Sequence, residues 1–391
     1  MTTSISHNIP KLYLIKISKW FMLIMPIIVL FYQDNGLSMQ EIMTLKGINA
    51  VAVVLLEIPS GYFADVWGRK QTLILGSILG TVGFVLYSIG YGFWGFLAAE
   101  IVLGIGQSFI SGSDSALLYD SLLHDKREDE YLKQESRQMS IGNFAEALAG
   151  IIGGLLASIS LRTPFLFQTG IAFLAIPAAL LLVEPTRSAQ KEKAGFLHIL
   201  HIVKYAIIDN AQLRWNIVFS AIIGCATLSM AWFIQAYFVE LNLTPEIIGI
   251  LWTLLNLTVG LVAWSAPRIE QKLGKIRTSL LIGIGISSGF LLIGSFQSIW
   301  AIAFLFLFYM VRGVATPILK DYINRITESE VRATVLSMRN FIIRTIFAIL
   351  GPFLGWYTDK WSLTSALFLA GVIFLIISAI SIFFIRKIEK P

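Results

Sequence analysis

The sequence predicts an all-α integral membrane protein: twelve transmembrane helices in two six-helix bundles, with the N- and C-termini both cytoplasmic. Three observations carry that prediction. Hydrophobic residues make up 56% of the 391 and charged residues only 14%, against roughly 45–50% and about 25% in soluble proteins. Apolar runs recur along the whole chain, separated by short charged or Gly/Pro-containing breaks. Lysine and arginine gather in alternate breaks. A single soluble core stops growing at about 250–300 residues and would leave the surplus apolar surface in water. Bilayer is the better solvent for this chain.

The runs fall near 11–33, 39–63, 70–90, 93–121, 138–160, 164–183, 213–239, 246–266, 278–297, 299–322, 333–357 and 362–385. At about 20 to 23 residues per span they use on the order of 260 positions, which leaves no room for a large soluble domain. The first run follows Lys11, carries Lys16 and Lys19 early and lacks a small-residue cleavage site, so it reads as a retained helix rather than a signal peptide. With the N-terminus inside, the breaks at Arg69–Lys70, Lys126–Arg137, Arg187–Arg214, Arg268–Arg277, Arg325–Arg332 and Arg386–Lys390 are cytoplasmic. Only Arg162 and Lys360 are then external. This positive-inside bias sets the orientation and the even span number together. The net charge of +6 then meets anionic lipid headgroups and needs no nucleic acid to explain it.

The longest internal connection, Glu184 to Leu213, starts polar and turns amphipathic. It divides the chain into an N-terminal six-helix bundle (1–183), a cytoplasmic linker with an amphipathic helix (184–212) and a C-terminal six-helix bundle (213–391). His198, His201 and Lys204 recur at three-residue spacing among apolar neighbours, which suits a helix lying in the membrane interface. Two histidines one turn apart without a third ligand are read as a solvated face, not a metal site. The halves repeat weakly. Gly68-Arg69-Lys70 is answered by Gly274-Lys275 with Arg277, and Gly150-Ile-Ile-Gly153-Gly154 by Gly351-Pro352-Phe-Leu-Gly355. Two bundles of parallel repeat are the expected result.

Span two ends in Gly61-Tyr-Phe-Ala-Asp65-Val-Trp-Gly68-Arg69-Lys70, which resembles the G-x-x-x-D-x-x-G-[RK]-[RK] loop signature of the major facilitator superfamily. Leu55-Leu56-Glu57-Ile58-Pro59-Ser60, Asn324-Arg325 and Arg332-Ala333-Thr334-Val335-Leu336-Ser337 are similar to the bacterial drug and metabolite antiporter-like branch. The resemblance spans residues 11 to 386 and implies the major facilitator fold and a conformational latch made of Gly61, Asp65, Gly68, Arg69, Lys70 and Asp120. In that latch Asp65 and Arg69 pair with an acid at the end of span four, here Asp120, and Asp65 faces the positive N-terminus of span eleven. Two positions depart from the family patterns. Glu100 stands ahead of Leu103-Gly104-Ile105-Gly106 where an arginine is expected, and Ala149-Gly150-Ile-Ile-Gly153-Gly154 lacks the proline of G-P-x-x-G-G.

Ionisable side chains near a helix centre are costly and usually face a bundle interior or an aqueous cavity, marking a pathway. Glu100, Gly104, Gln107, Ser111 and Asp114 fall on one stripe at 100° per residue, which is expected to line water, with a packing stripe of small residues around one satisfied acid as the rival reading. Glu146 and Glu57 add acids to the N-terminal half, where Lys16, Lys19 and Lys46 lie toward span ends. Glu100, Asp114, Glu146 and Glu57 are the candidates for proton coupling, since desolvation raises a carboxyl pKa toward the cellular range. The C-terminal half carries Arg312 and Arg344 roughly eleven or twelve residues into their spans, near the midplane at about 1.5 Å per residue. Lys320 and Arg339 sit nearer the cytoplasm. Guanidinium stays charged and its planar fork suits carboxylates and phosphates. Arg312 and Arg344 are therefore the candidate anchors for an anionic group on the substrate, in a cavity with one acidic and one basic wall; Gln107 on the span-four stripe and the aromatic residues Trp20, Tyr32 and Trp232, as the apolar part of the pocket, complete the candidate substrate-binding set. Interhelical salt bridges are the competing reading for each of these charges.

All four histidines, His7, His124, His198 and His201, lie outside the spans, and Cys225 is the only cysteine. No catalytic set, metal cluster, disulfide or cofactor is expected. No G-x-x-x-x-G-K-[ST] occurs, which argues against an ATP-driven pump. The functional expectation is a monomeric secondary active transporter of the bacterial inner membrane. It would move a small organic solute by alternating access, with proton-coupled efflux as the first reading. Uptake or exchange of an organic anion, such as a carboxylate-rich siderophore or nutrient, is the alternative.

Overall fold

A computed structural model describes residues 5–185, 201–328 and 331–389. All regular structure among the described residues is helical. In chain order the helices are α1 (Asn8–Trp20), α2 (Ile28–Asp34), α3 (Met39–Val66), α4 (Arg69–Ile89), α5 (Gly92–Ile110), α6 (Ser113–His124), α7 (Tyr131–Ile159), α8 (Thr163–Phe173) and α9 (Ala175–Leu180). After the linker come α10 (Ala211–Glu240), α11 (Pro245–Ala263), α12 (Ala266–Ser295), α13 (Ile302–Arg325), α14 (Arg332–Lys360) and α15 (Leu363–Glu389). Among the described residues 11 helical stretches are long and apolar enough to cross a bilayer. The first apolar run is not one of them. It folds as two short helices, the chain turning through residues 21–27, which include Pro26, between α1 and α2.

The chain divides into two compact units. Unit one comprises Met1–Leu37, Leu45–Lys191 and Leu243–Thr253, and unit two Ser38–Thr44, Glu192–Asn242 and Leu254–Pro391. In unit one an apolar cluster of Leu12 and Ile15 on α1, Leu73 on α4, Leu117, Leu118 and Leu122 on α6, and Ala178 and Ala179 on α9 is almost wholly buried. Close packing along the rest of the unit uses glycine, as expected where helices associate without a hydrophobic driving force between them. A Cβ at Gly154 would lie 2.6 Å from the Pro245 carbonyl oxygen, and one at Gly249 2.5 Å from that of Gly150. The glycine pattern of span five therefore seats the start of α11 directly, without the proline of the family pattern.

Unit two repeats the device. A Cβ at Gly355 would lie 2.6 Å from the Met39 carbonyl oxygen, so α14 seats the start of α3. The Asp359 carboxylate finishes that seat by accepting from the backbone N–H groups of Met39 (2.9 Å) and Gln40 (2.8 Å). Those are donors that the first turn of a helix leaves unsatisfied. The body of unit two packs Leu213 and Ile217 of α10 against Ile323 of α13 and Val335 of α14, while Phe290 meets Phe308 edge-on at 5.7 Å.

Candidate functional site

The turn between α3 and α4 needs a backbone conformation that most residues avoid. Gly68 has φ 108° and is buried, in the region open to glycine. Its counterpart in the second half, Gly274, has φ 74° and kinks α12 at the same place in the repeat. Arg69 forms an ion pair with Asp120 of α6, and its Nη1 also donates to the Ala116 carbonyl. The pairing implied by the resemblance is thus present. The side chain of Asp65 lies outside the described residues. Gly61 is exposed. Glu184, expected only as the start of the linker, completes the turn: its carboxylate accepts from the backbone N–H groups of Arg69 (3.0 Å) and Lys70 (2.7 Å) at the positive end of α4. Its position after the sixth apolar run gives no sign of that role. In the loop beyond α6, Arg127 donates to Glu130 in a two-pronged pair of 3.0 and 2.8 Å. That hydrogen bonding holds the Glu130 carboxyl down at about 2.

The stripe expected on span four does not form. The helix breaks at Ser111–Gly112, where Gly112 has φ 82°, and α6 starts on a new axis. Glu100 and Gly104 face span two: a Cβ at Gly104 would meet Ala52 and Asn49. Gln107 and Ser111 are exposed, and Asp114 is buried in another setting. Nor are these acids uncompensated. Glu100, 3% exposed, forms an ion pair with Lys46 of α3 and accepts from the Tyr32 hydroxyl at 2.8 Å. Tyr32 in turn hydrogen-bonds the Tyr87 hydroxyl, and Lys46 lies 5.2 Å from the Tyr32 ring centroid. The Asn49 amide donates to the Glu100 carbonyl at 2.9 Å. Around this knot Phe31, Phe96 and Phe165 form an aromatic shell, with Phe31 and Phe96 centroids 5.3 Å apart. Four helices, α2, α3, α4 and α5, meet at one carboxylate. Tyr32, expected to line a substrate pocket, is fully buried here and serves that carboxylate.

Asp114 forms a second pair, with Lys16 of α1 at 3.4 Å, and accepts from the Ser115 N–H. Trp20 stacks near Lys16 at 5.8 Å and packs on Gly142 of α7. Also on α7, Gln138 is fully buried with neither amide atom hydrogen-bonded. Glu146 is half-buried on α7, and Glu57 is exposed on α3. The structure therefore groups Glu100 with Tyr32, and Asp114 with Trp20, but does not bring all four acids together within unit one. A separate open pocket of about 650 Å³ in unit one is lined by Asp34, Asn35, Tyr91, Ser160 and Arg162, none of them anticipated. Arg162 donates to the carbonyls of Ser88 and Gly90, both at 2.9 Å, and lies 3.8 Å from the Tyr91 ring centroid.

In unit two Arg312 is half-buried with its guanidinium 5.2 Å from the Tyr309 ring centroid. Arg344 and Trp232 are half-buried on α14 and α10. Arg339 is 7% exposed. Its Nε donates to the Ser220 hydroxyl at 2.5 Å and its Nη1 to the Asn340 side-chain oxygen at 3.1 Å. The salt bridge anticipated as the competing reading for Arg339 does not form among the described residues. His198 lies outside the described residues, and no group of histidine, cysteine or acidic side chains among them is disposed to hold a metal.

The family model described as Major Facilitator Superfamily matches residues 18–352. The chain belongs to that superfamily. Its members are transporters, and this chain is accordingly a multi-pass membrane protein with the fold of a transporter rather than of an enzyme. An uncharacterised MFS-type transporter of Methanocaldococcus jannaschii is 24% identical over 270 residues, 68% of each chain. The quinolone resistance protein NorA of Staphylococcus aureus is 25% identical over 168 residues, and the match spans 42% of each chain. Among solved structures, the nucleoside transporter NupG superposes with a TM-score of 0.81 over 100% of both chains at 12% identity. A bacterial homologue of the human lysosomal transporter Spinster gives 0.77 over 99% of this chain and 98% of the other, at 16% identity. At those identities the superpositions speak for the superfamily fold alone.

Proposed function

We propose that the protein is a proton-coupled secondary active transporter that exports a small organic solute across the bacterial inner membrane by alternating access. In this reading the chain makes twelve crossings, counting α1 and α2 as one. Both termini are cytoplasmic, and 1–183 and 213–391 act as two bundles joined by the 184–212 linker. The observation that carries the coupling is the Glu100–Lys46 pair, with Tyr32 and Tyr87 attached. A carboxylate so deeply buried exchanges a proton only when a conformational change admits water, and protonation cancels the charge that holds α3 to α5. Proton occupancy and helix position then depend on each other, which is what coupling requires. Asp114 with Lys16 is the second candidate proton site, with Glu146 and Glu57 behind it. Arg69 with Asp120, Gly68 and Lys70, capped by Glu184, is the latch that closes and opens one side. The NorA likeness supports export of a drug-like solute.

The test is flux into proteoliposomes under an imposed pH gradient. Wild-type protein is expected to accumulate substrate in response to the gradient, and Glu100→Gln to keep only gradient-independent exchange. Flux indifferent to the gradient, with Glu100, Asp114 and Glu146 each replaceable by Gln, removes the proposal. Uptake or exchange of an organic anion is the second reading, favoured by the basic spans of unit two. Arg312 and Arg344 would be its anchors, and the direction of flux in oriented vesicles separates the two.

A further inference from the structure

A guanidinium buried in a protein without a carboxylate is an anomaly. Taking such a charge out of water costs several kcal/mol unless an opposite charge offsets it. Arg339 is in that position: it is 7% exposed, both its hydrogen-bond partners, Ser220 and Asn340, are neutral, and no carboxylate lies within ion-pairing distance among the described residues. The neighbourhood adds more positive charge. Lys320 of α13 lies within electrostatic reach of Arg339, and the acids of α13 and α14, Asp321 and Asp359, sit toward the helix ends. Asp321 is already paired with Arg325 at 2.6 Å.

The three groups lie at similar depth. Arg339 is about 10 Å from the start of α14, Ser220 about 13 Å from the start of α10, and Lys320 about 8 Å from the end of α13, at about 1.5 Å per residue. Lys320 and Asn340 are exposed. A hydroxyl, an amide and two cations, with the negative charge missing, form the complement of a carboxylate or phosphate group.

We propose that Arg339, Ser220 and Lys320 bind the anionic group of the transported solute, so that the solute carries a carboxylate, phosphonate or phosphate. This rests on the transporter reading and narrows its substrate class. A lipid phosphate has the same chemistry. The depth of Arg339 within α14 favours a soluble anion over a headgroup, and the test separates the two.

Purified full-length protein in uncharged detergent is melted with benzoate, phenylphosphonate, benzamide, benzyltrimethylammonium or short-chain phosphatidylglycerol. Benzoate and phenylphosphonate are expected to raise the melting midpoint, and benzamide and the ammonium compound to leave it unchanged. Arg339→Gln is expected to melt no lower than wild type without ligand, because it removes an uncompensated buried charge. It should also require a concentration about tenfold or more higher for the same anion response, the loss expected for a charged hydrogen bond. Arg339→Lys should retain part of that response. A response confined to phosphatidylglycerol, or an anion response unchanged in Arg339→Gln, overturns the proposal. Binding is read without flux. Anion stabilisation in a protein that moves nothing would sink the transporter reading and leave this site standing, whereas coupled flux with no anion response would do the reverse.

Discussion

The two units of this protein treat charge in opposite ways. In unit one the deeply buried carboxylates have cations in contact: Glu100 has Lys46 and two tyrosine hydroxyls behind it, and Asp114 has Lys16. In unit two Arg339, the most deeply buried cation among the described residues, has a hydroxyl and an amide as its only partners among them. A paired charge is self-sufficient and changes state only when a proton or water enters, whereas an unpaired one waits for a partner from outside. The difference suggests a division of labour, with proton exchange in the first unit and recognition of an anion in the second.

The largest test of that contrast is Lys46→Ala. Removing one partner of a buried pair leaves the other uncompensated, at a cost of about 3–5 kcal/mol. A loss of that order is expected in thermal unfolding, with much of it recovered in Lys46→Met combined with Glu100→Met. Arg339→Gln should move stability the other way or not at all. If both single variants destabilise equally, the two units handle charge alike and the contrast fails.

Next come the glycine seats that both units share. An alanine Cβ at Gly153 would collide with the Leu23 carbonyl, and one at Gly355 would lie 2.6 Å from that of Met39. Backbone cannot yield as a side-chain tip does, so each alanine is expected to cost about 1–3 kcal/mol. Gly153→Ala should cost the more, measured as the melting shift of the two variants side by side. The smallest effect belongs to Asp359→Asn. An amide still accepts one hydrogen bond at the start of α3 but loses the charge and one of the two acceptors, for about 0.5–2 kcal/mol. A melting point identical to wild type would show that the Met39 and Gln40 N–H groups find other partners.

The turn was legible residue by residue, because Gly68 and Arg69 belong to a local motif whose spacing survives in sequence, and the resemblance supplied Asp120 as the partner that Arg69 meets. Glu184 was not, since it approaches from 115 positions away and resembles any other charge at the end of an apolar run. The span-four stripe failed for a local reason: helical periodicity assumes one axis, and Gly112 at φ 82° starts another. Lys46 was visible but misjudged. Its place near the start of α3 suggested an interfacial charge, whereas the packing of α3 on α5 carries it to Glu100.

Composition and periodicity alone determined that this chain is helical and lives in a bilayer, because a hydrocarbon solvent admits few backbone solutions and each leaves a long apolar run in the sequence. The weak motif correspondence between the halves was legible too, and its two turn glycines, Gly68 and Gly274, both take positive φ. Only the tertiary structure decided which charges neutralise one another. Ion pairing depends on distances of a few ångströms between residues tens to hundreds of positions apart, and no periodicity along one helix records which face of another helix it will meet.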